Sequence, residues 1–230
     1  MPTPILATIA AALLMGTAHA ETTDLVVHCD PPLAGPLRAI AAAFKTARLR
    51  VFSTPPNAIP EQLARDIQND LIMTQPAILV RIGASGHLSD FPPSATWRNR
   101  LVIAARRGST PPPIDTATLA APDPVWGGGP DGPAILAAAG LRPRRILGAY
   151  DTEDAFALLL ESKADLALLH ASELTPALQI VAAPALIAER RAVLAMNRFP
   201  RRPNPEALLR FLATPEAAAI LKAHGLEPVT

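Results

Sequence analysis

The chain has 230 residues, of which 50% are hydrophobic, 18% charged and 4% aromatic, and 21 Lys and Arg against 20 Asp and Glu leave a formal net charge of +1. That length suits one large or two small domains with a substantial core, and the apolar share excludes a disordered chain. Without a cluster of Lys and Arg to neutralise phosphates, nucleic acid is excluded as a partner.

Residues 1–20 contain no Asp, Glu, Lys or Arg. An apolar centre over 5–15 is followed by Ala18-His19-Ala20, the small-x-small form that a signal peptidase reads before Glu21. The run is shorter than the roughly 20 residues that cross a bilayer. The expectation is a signal peptide cleaved after Ala20 and a soluble mature protein in the periplasm. Cys29 is the only cysteine, so no intrachain disulfide can form and packing must stabilise the fold. The 26 prolines are scattered rather than periodic and stiffen loops.

Beyond the leader, short apolar strands alternate with Ala- and Leu-rich helices. A strand is expected over 24–28. A helix follows over 33–46, with Leu37, Ile40, Ala41 and Phe44 spaced i, i+3, i+4, i+7. Next come a strand over 49–53, a break at Pro55-Pro56-Asn57, a helix over 61–69 and a strand over 77–82. This β-α-β-α-β order is the signature of a parallel sheet.

The second block opens with a strand over 100–106 and the stiff connector Pro111-Pro112-Pro113. A short strand over 124–126 leads into Gly127-Gly128-Gly129-Pro130-Asp131-Gly132 and a helix over 133–139, with proline at its first position and Gly140 just past its end. A strand over 146–150, an acid-opened helix over 152–161 and a strand over 165–170 complete a second βαβαβ unit. Strands over 178–182 and 191–196 precede helices over 205–213 and 215–223. The last helix has Thr214 as cap, Pro215 at its first position and Gly225 at its end. Two such blocks predict an α/β protein of two lobes, with a ligand between them at the carboxyl ends of the strands.

Several stretches, in this order, carry a resemblance. They are Leu25-Val26-Val27, the helix from Leu37 through Ala41 to Lys45, Leu63-Ala64-Arg65-Asp66-Ile67, the helix opening Thr152-Glu153-Asp154-Ala155, the strand from Asp165 to His170, and the ending from Phe211 to Gly225. Together they resemble the periplasmic molybdate-binding proteins of ABC importers and, more broadly, two-lobed extracellular solute-binding proteins. The resemblance implies a type II periplasmic binding protein-like fold, each lobe a mostly parallel sheet flanked by helices. Lobe one would be 21–101 plus 197–230 and lobe two 102–196. It implies a monomer without cofactor or enzymatic activity, which closes on a small molecule or ion and hands it to a membrane permease.

The ligand positions depart from that family. Where it places small residues and Ser hydroxyls after the first strand, this chain has His28-Cys29-Asp30-Pro31-Pro32. Proline has no N–H to offer an oxyanion, and an ionised Asp30 repels one. The family's Ser-rich turn before the second helix is Ile59-Pro60-Glu61-Gln62 here, and its late-strand Tyr position falls on His170. Against a molybdate-like oxyanion stand a transition metal, a metal complex or a small organic solute. Imidazole, thiolate and carboxylate suit a borderline or soft metal, so His28, Cys29 and His170 are candidate metal ligands, with Asp30 beside them.

Further ligand candidates are Arg81, a charge in an apolar strand pattern, Gly129, Asp131 and Gly132 in the glycine loop, and Glu153 at a helix start. The glycine loop followed by Asp151 imitates a dinucleotide fingerprint, but Pro130 and an exported setting speak against it. Gly83-Ala84-Ser85-Gly86-His87 nearly forms a nucleophile elbow, which leaves an exported hydrolase built on Ser85 and His87 as the enzymatic alternative.

Overall fold

A computed structural model describes residues 24–65, 67, 69–89, 95–123, 131–183, 190–198, 200 and 205–229. The expected signal peptide over 1–20, the expected strand over 124–126 and most of the glycine loop, Gly129 included, lie outside the described residues.

The chain opens with β1 (Leu25–Cys29), α1 (Pro31–Ala43), β2 (Leu49–Ser53), α2 (Ile59–Ala64) and β3 (Leu71–Thr74). The third strand therefore lies earlier than the sequence pattern suggested. The run over 77–82 is instead part of α3 (Pro76–Ala84). Short apolar runs do not separate strand from helix by period alone. Here Pro76 occupies the first helical turn, where a missing N–H is harmless. The helix buries Ile78, Leu79 and Ile82 on one side and leaves Val80 73% exposed.

The chain then runs through β4 (Ala95–Asn99), β5 (Leu101–Arg106), β6 (Thr118–Pro122), α4 (Gly132–Ala138), β7 (Arg145–Ala149), α5 (Thr152–Leu160), β8 (Leu166–His170) and β9 (Leu178–Ala182). It closes with β10 (Arg190–Met196), α6 (Pro205–Leu212), α7 (Pro215–Ala223) and β11 (Leu226–Pro228). The last helix starts and ends where the capping pattern placed it: the Thr214 hydroxyl accepts from the Ala217 N–H at 3.2 Å, and Gly225 takes φ +75°.

Two sheets result, ordered β11-β4-β10-β3-β1-β2 and β7-β6-β8-β5-β9. The strands at the heart of each repeat one plan. β2 and β3 flank β1 in parallel, as β7 and β8 flank β6. Neither sheet is mostly parallel, however. β10 runs antiparallel to β3 and β4, and β5 antiparallel to β8 and β9. Both sheets are mixed because strands arriving from the other sheet enter at a crossover rather than after a βα unit. β10 also hydrogen-bonds into the first sheet, whereas the sequence division at 196 assigned it to the second block.

Arg100 alone separates β4, in the first sheet, from β5, in the second. Its carbonyl accepts from the Ala171 N–H at 2.7 Å, and its guanidinium donates to Glu227 at 2.8 Å. Each sheet has its own core. α1, α6 and α7 cover one face of the first through Leu33, Leu37, Ile40, Leu208 and Leu221, while Ile59 and Leu63 of α2 pack on the other. Leu136 of α4 and Leu159 of α5 seal opposite faces of the second. Each such buried side chain contributes about 1.5–3 kcal/mol relative to exposure.

Candidate functional site between the two sheets

In both sheets helices cover opposite faces, an arrangement in which ligands generally bind at the carboxyl ends of the strands, here those of β1 and β3 and of β6 and β8. Asp30 directly follows β1, and Thr74 ends β3. The Thr74 hydroxyl donates to Asp30 Oδ1 at 2.5 Å, and the Asp30 N–H donates to the Met73 carbonyl at 3.1 Å. Both residues are buried, at 5% and 0% exposure. α1 starts with Pro31 and Pro32, so its first two positions carry no N–H. The end of β1 thus has a carboxylate and two prolines where an anion would need donors.

In the second sheet β8 ends on His170, which is 5% exposed. Glu173 organises it with both carboxylate oxygens. Oε2 accepts from the His170 N–H at 2.7 Å and lies 3.2 Å from His170 Nδ1; Oε1 accepts from the Thr152 hydroxyl at 2.6 Å. The carboxylate therefore ties the end of β8 to the first turn of α5. Asp151 caps α5 through the Asp154 N–H at 2.9 Å, so part of that helix's donor capacity is already used.

The turn Ala171–Glu173 and α5 both pack against α1, which brings the two ends together. The contact has a local cause. Pro36 lies inside α1 and lacks the N–H that would serve the Pro32 carbonyl four residues back. Ser172 supplies the missing donor: its hydroxyl reaches the Pro32 carbonyl at 2.6 Å. The Asn99 amide in turn donates to Ser172 Oγ at 2.8 Å. Gly225, after α7, also meets this turn, since a Cβ there would lie 2.8 Å from the Ala171 carbonyl carbon.

The predicted site residues divide between this region and others. Asp30 and His170 stand at the strand ends. His28 and Cys29 occupy opposite faces of β1: Cys29 joins the core with Leu25 and Val27, while His28 lies with Val26 on the face toward α2. The His28 ring stacks on Phe52, with centroids 5.2 Å apart, and its Nδ1 is 3.0 Å from the Thr54 hydroxyl. Arg81 does not end a strand; it lies on α3 and is exposed. Asp131 caps α4 by accepting from the Ala134 N–H at 2.9 Å. Gly132 is packed so closely that a Cβ would fall 2.6 Å from the Pro122 carbonyl oxygen. Glu153 is exposed in the first turn of α5. Ser85 donates its hydroxyl to the Ile82 carbonyl at 2.7 Å.

The three expected metal ligands are not brought together, and no group of three or more His, Cys, Asp or Glu suited to a metal occurs among the described residues. Burial, reinforced by the nearby Asp30 charge, pushes the Cys29 thiol up to about 12. That burial disfavours the thiolate form at physiological pH. The strand ends carry instead the carboxylates of Asp30 and Glu173, hydrogen-bonded by the hydroxyls of Thr74 and Thr152.

Sequence reading missed Thr74, Ser172 and Glu173. Thr74 was hidden by the misplaced third strand. Glu173 has a usable signal, because a polar residue ending a strand and an acid three positions later form the reciprocal cap seen at His170 and Glu173.

No curated protein matches the sequence. Solved structures match the fold. The Azotobacter vinelandii periplasmic molybdate-binding protein is similar at a TM-score of 0.69 and 17% identity, with 90% of this chain and 99% of that one covered. The sulfate-binding protein SubI of Mycobacterium tuberculosis H37Rv is similar at 0.67 and 15%, covering 90% and 87%. PEB3 bound to L-phospholactate is similar at 0.64 and 14%, covering 89% and 99%. The architecture is thus the two-sheet α/β fold of periplasmic binding proteins. Residues 25–227 match the family described as bacterial extracellular solute-binding protein, and the chain belongs to that family.

Proposed function

We propose that this chain is the periplasmic binding component of an ABC importer, carrying a small organic solute rich in hydrogen-bond donors to a membrane permease. Residues 24–99 with 190–229 form one lobe and 101–183 the other. Residues 1–20 are an export signal removed after Ala20. The solute sits between the lobes, against Asp30 and Thr74 on one side and His170, Thr152 and Glu173 on the other. The observation that carries this reading is the pair of carboxylates, Asp30 and Glu173, at the two strand ends, next to prolines without N–H groups. Acceptors concentrated in a desolvated cleft favour an ammonium or multiply hydroxylated solute.

A second reading, a molybdate-like oxyanion, is supported by the likeness in fold to molybdate- and sulfate-binding proteins. Thermal-shift screening of the mature protein against amino acids, polyamines, sugars, molybdate and sulfate separates the two. Stabilisation by a donor-rich solute, lost in Asp30→Ala, supports the first; stabilisation by molybdate or sulfate alone replaces it with the second. Native mass spectrometry of protein taken from the periplasm identifies any retained ligand.

A further inference from the structure

The charges of the second sheet and its helices are sorted by end. Residues 101–183 contain six Lys and Arg, and all six lie at the amino ends of β6, β7 and β8. Arg142, Arg144 and Arg145 lead into β7, Lys163 precedes β8, and Arg106 and Arg107 finish β5, which runs antiparallel to β8. Pairing sets them along one row. Arg145 is the register partner of Thr118, the Asp165 N–H donates to the Thr118 carbonyl at 2.9 Å, and Arg106 is the register partner of Leu178. Three acids share this end, Asp115, Glu161 and Asp165. Among the described residues, Lys163 is the only one of the six cations in an ion pair, with Glu161 at 2.7 Å. Arg107 is held by neutral carbonyls, those of Pro176 at 2.6 Å and Leu178 at 3.0 Å.

The carboxyl ends carry the other six acids of this segment and none of its Lys or Arg: Asp123 after β6, Asp131 before α4, Asp151, Glu153 and Asp154 opening α5, and Glu173 after β8. Arg100, just before β5, is already paired with Glu227 at 2.8 Å. Asp131, Asp151 and Asp154 accept from the N–H groups of Ala134, Asp154 and Tyr150, so local capping accounts for these three. It does not cancel their charge, because a helix N-terminus supplies only about half a positive charge and two helices offset about one acid in the six. Nor does capping explain why every cation of the segment lies at the opposite end. Each end also exposes apolar surface, Leu160 at 46% with the cations and Tyr150 at 52% with the acids.

We propose that residues 101–183 are self-complementary, and that the basic end of one copy docks on the acidic end of a second copy of this chain. The contact joins two different patches, so it is heterologous and grows head to tail rather than closing as a two-fold dimer. Arg144 and Arg145 meet carboxylates of the other copy, and Tyr150 offers its ring to an arginine. Tyr and Arg are among the side chains that interfaces enrich. The Debye length is about 30 Å at 0.01 M salt and about 3 Å at 1 M, so an association of exposed charges is weak and salt-dependent. It does not depend on which solute the protein carries.

Sedimentation velocity of the mature protein, from micromolar to millimolar concentration, tests it. The expected result is a sedimentation coefficient that rises with concentration at about 0.01 M salt and stays at the monomer value at about 1 M. Arg144→Glu with Arg145→Glu abolishes the rise, and so does Asp131→Ser with Glu153→Lys, in which serine keeps the cap on α4. Each variant retains one working end, so a mixture of the two forms a complex of one copy of each and nothing larger. All of these positions are exposed, and circular dichroism verifies that both variants fold. A wild type that stays monomeric at low salt overturns the proposal. So does association that persists at high salt, association retained by either variant alone, or a mixture without the paired complex. A monomer that instead binds phosphatidylglycerol vesicles, and loses them in Arg144→Glu with Arg145→Glu, overturns it in favour of a lipid surface.

Discussion

The Ser172 hydroxyl donates to the Pro32 carbonyl at 2.6 Å, filling the place of the backbone N–H that Pro36 cannot provide. The two residues belong to opposite halves of the molecule, so a local defect in α1 becomes a contact between them. Ser172→Ala leaves the Pro32 carbonyl without that donor and lowers stability by about 1–3 kcal/mol. In the Pro36→Ala background a helical N–H becomes available, and the same serine substitution then costs less. Urea unfolding of the four proteins of this double-mutant cycle measures the coupling. Equal serine effects in both backgrounds would refute it.

Gly225 offers a second probe of this turn. A Cβ there would lie 2.8 Å from the Ala171 carbonyl carbon and 2.9 Å from its oxygen, and φ is +75°. Both facts act against a side chain. Gly225→Ala should destabilise by about 1–3 kcal/mol, the usual range for overpacking, read as a lower melting temperature.

Asp30→Asn keeps the shape of the strand end while removing its charge. If the carboxylate selects the solute, this variant loses affinity for donor-rich solutes and gains it for sulfate or molybdate, each by about ten-fold. Unchanged selectivity in a competition assay would show that Asp30 is only a partner for Thr74. Arg81→Ala, by contrast, alters an exposed position on α3 and should leave both stability and affinity within about 0.5 kcal/mol of the wild type.

The alternation of strands and helices was legible in the sequence where capping and period agreed, as in α5 and α7. It failed at 77–82, where six apolar-rich residues fit either period and only Pro76 pointed to a helix. Asp30 and His170 could be found because each ends a clear strand. Ser172 could not be ranked in advance, since its importance comes from its partner Pro32, 140 residues away. The proposed metal trio failed for a simple reason: neighbouring residues on a strand point to opposite faces, so His28 and Cys29 do not converge.

The buried thiol gives a pH prediction. Its ordinary value is 9.0, and in the fold it is pushed up to about 12. Between those limits the folded protein keeps a proton that the unfolded chain releases. The stability is therefore fully present below pH 9.0 and declines as the pH rises toward 12. Cys29→Ala removes the titrating thiol, so its stability falls less steeply on the alkaline side in chemical denaturation. In the wild type at neutral pH, a thiol-specific reagent should label Cys29 only after unfolding; rapid labelling of the native protein would contradict its burial.

Arg100 is the whole length of the first passage between the sheets, and a single residue spans at most about 3.6 Å. A tether so short permits turning and forbids sliding. Any movement of one sheet relative to the other must swing about this peptide, where the Arg100 carbonyl is bonded by Ala171 and its guanidinium by Glu227, so such a movement changes angle rather than separation.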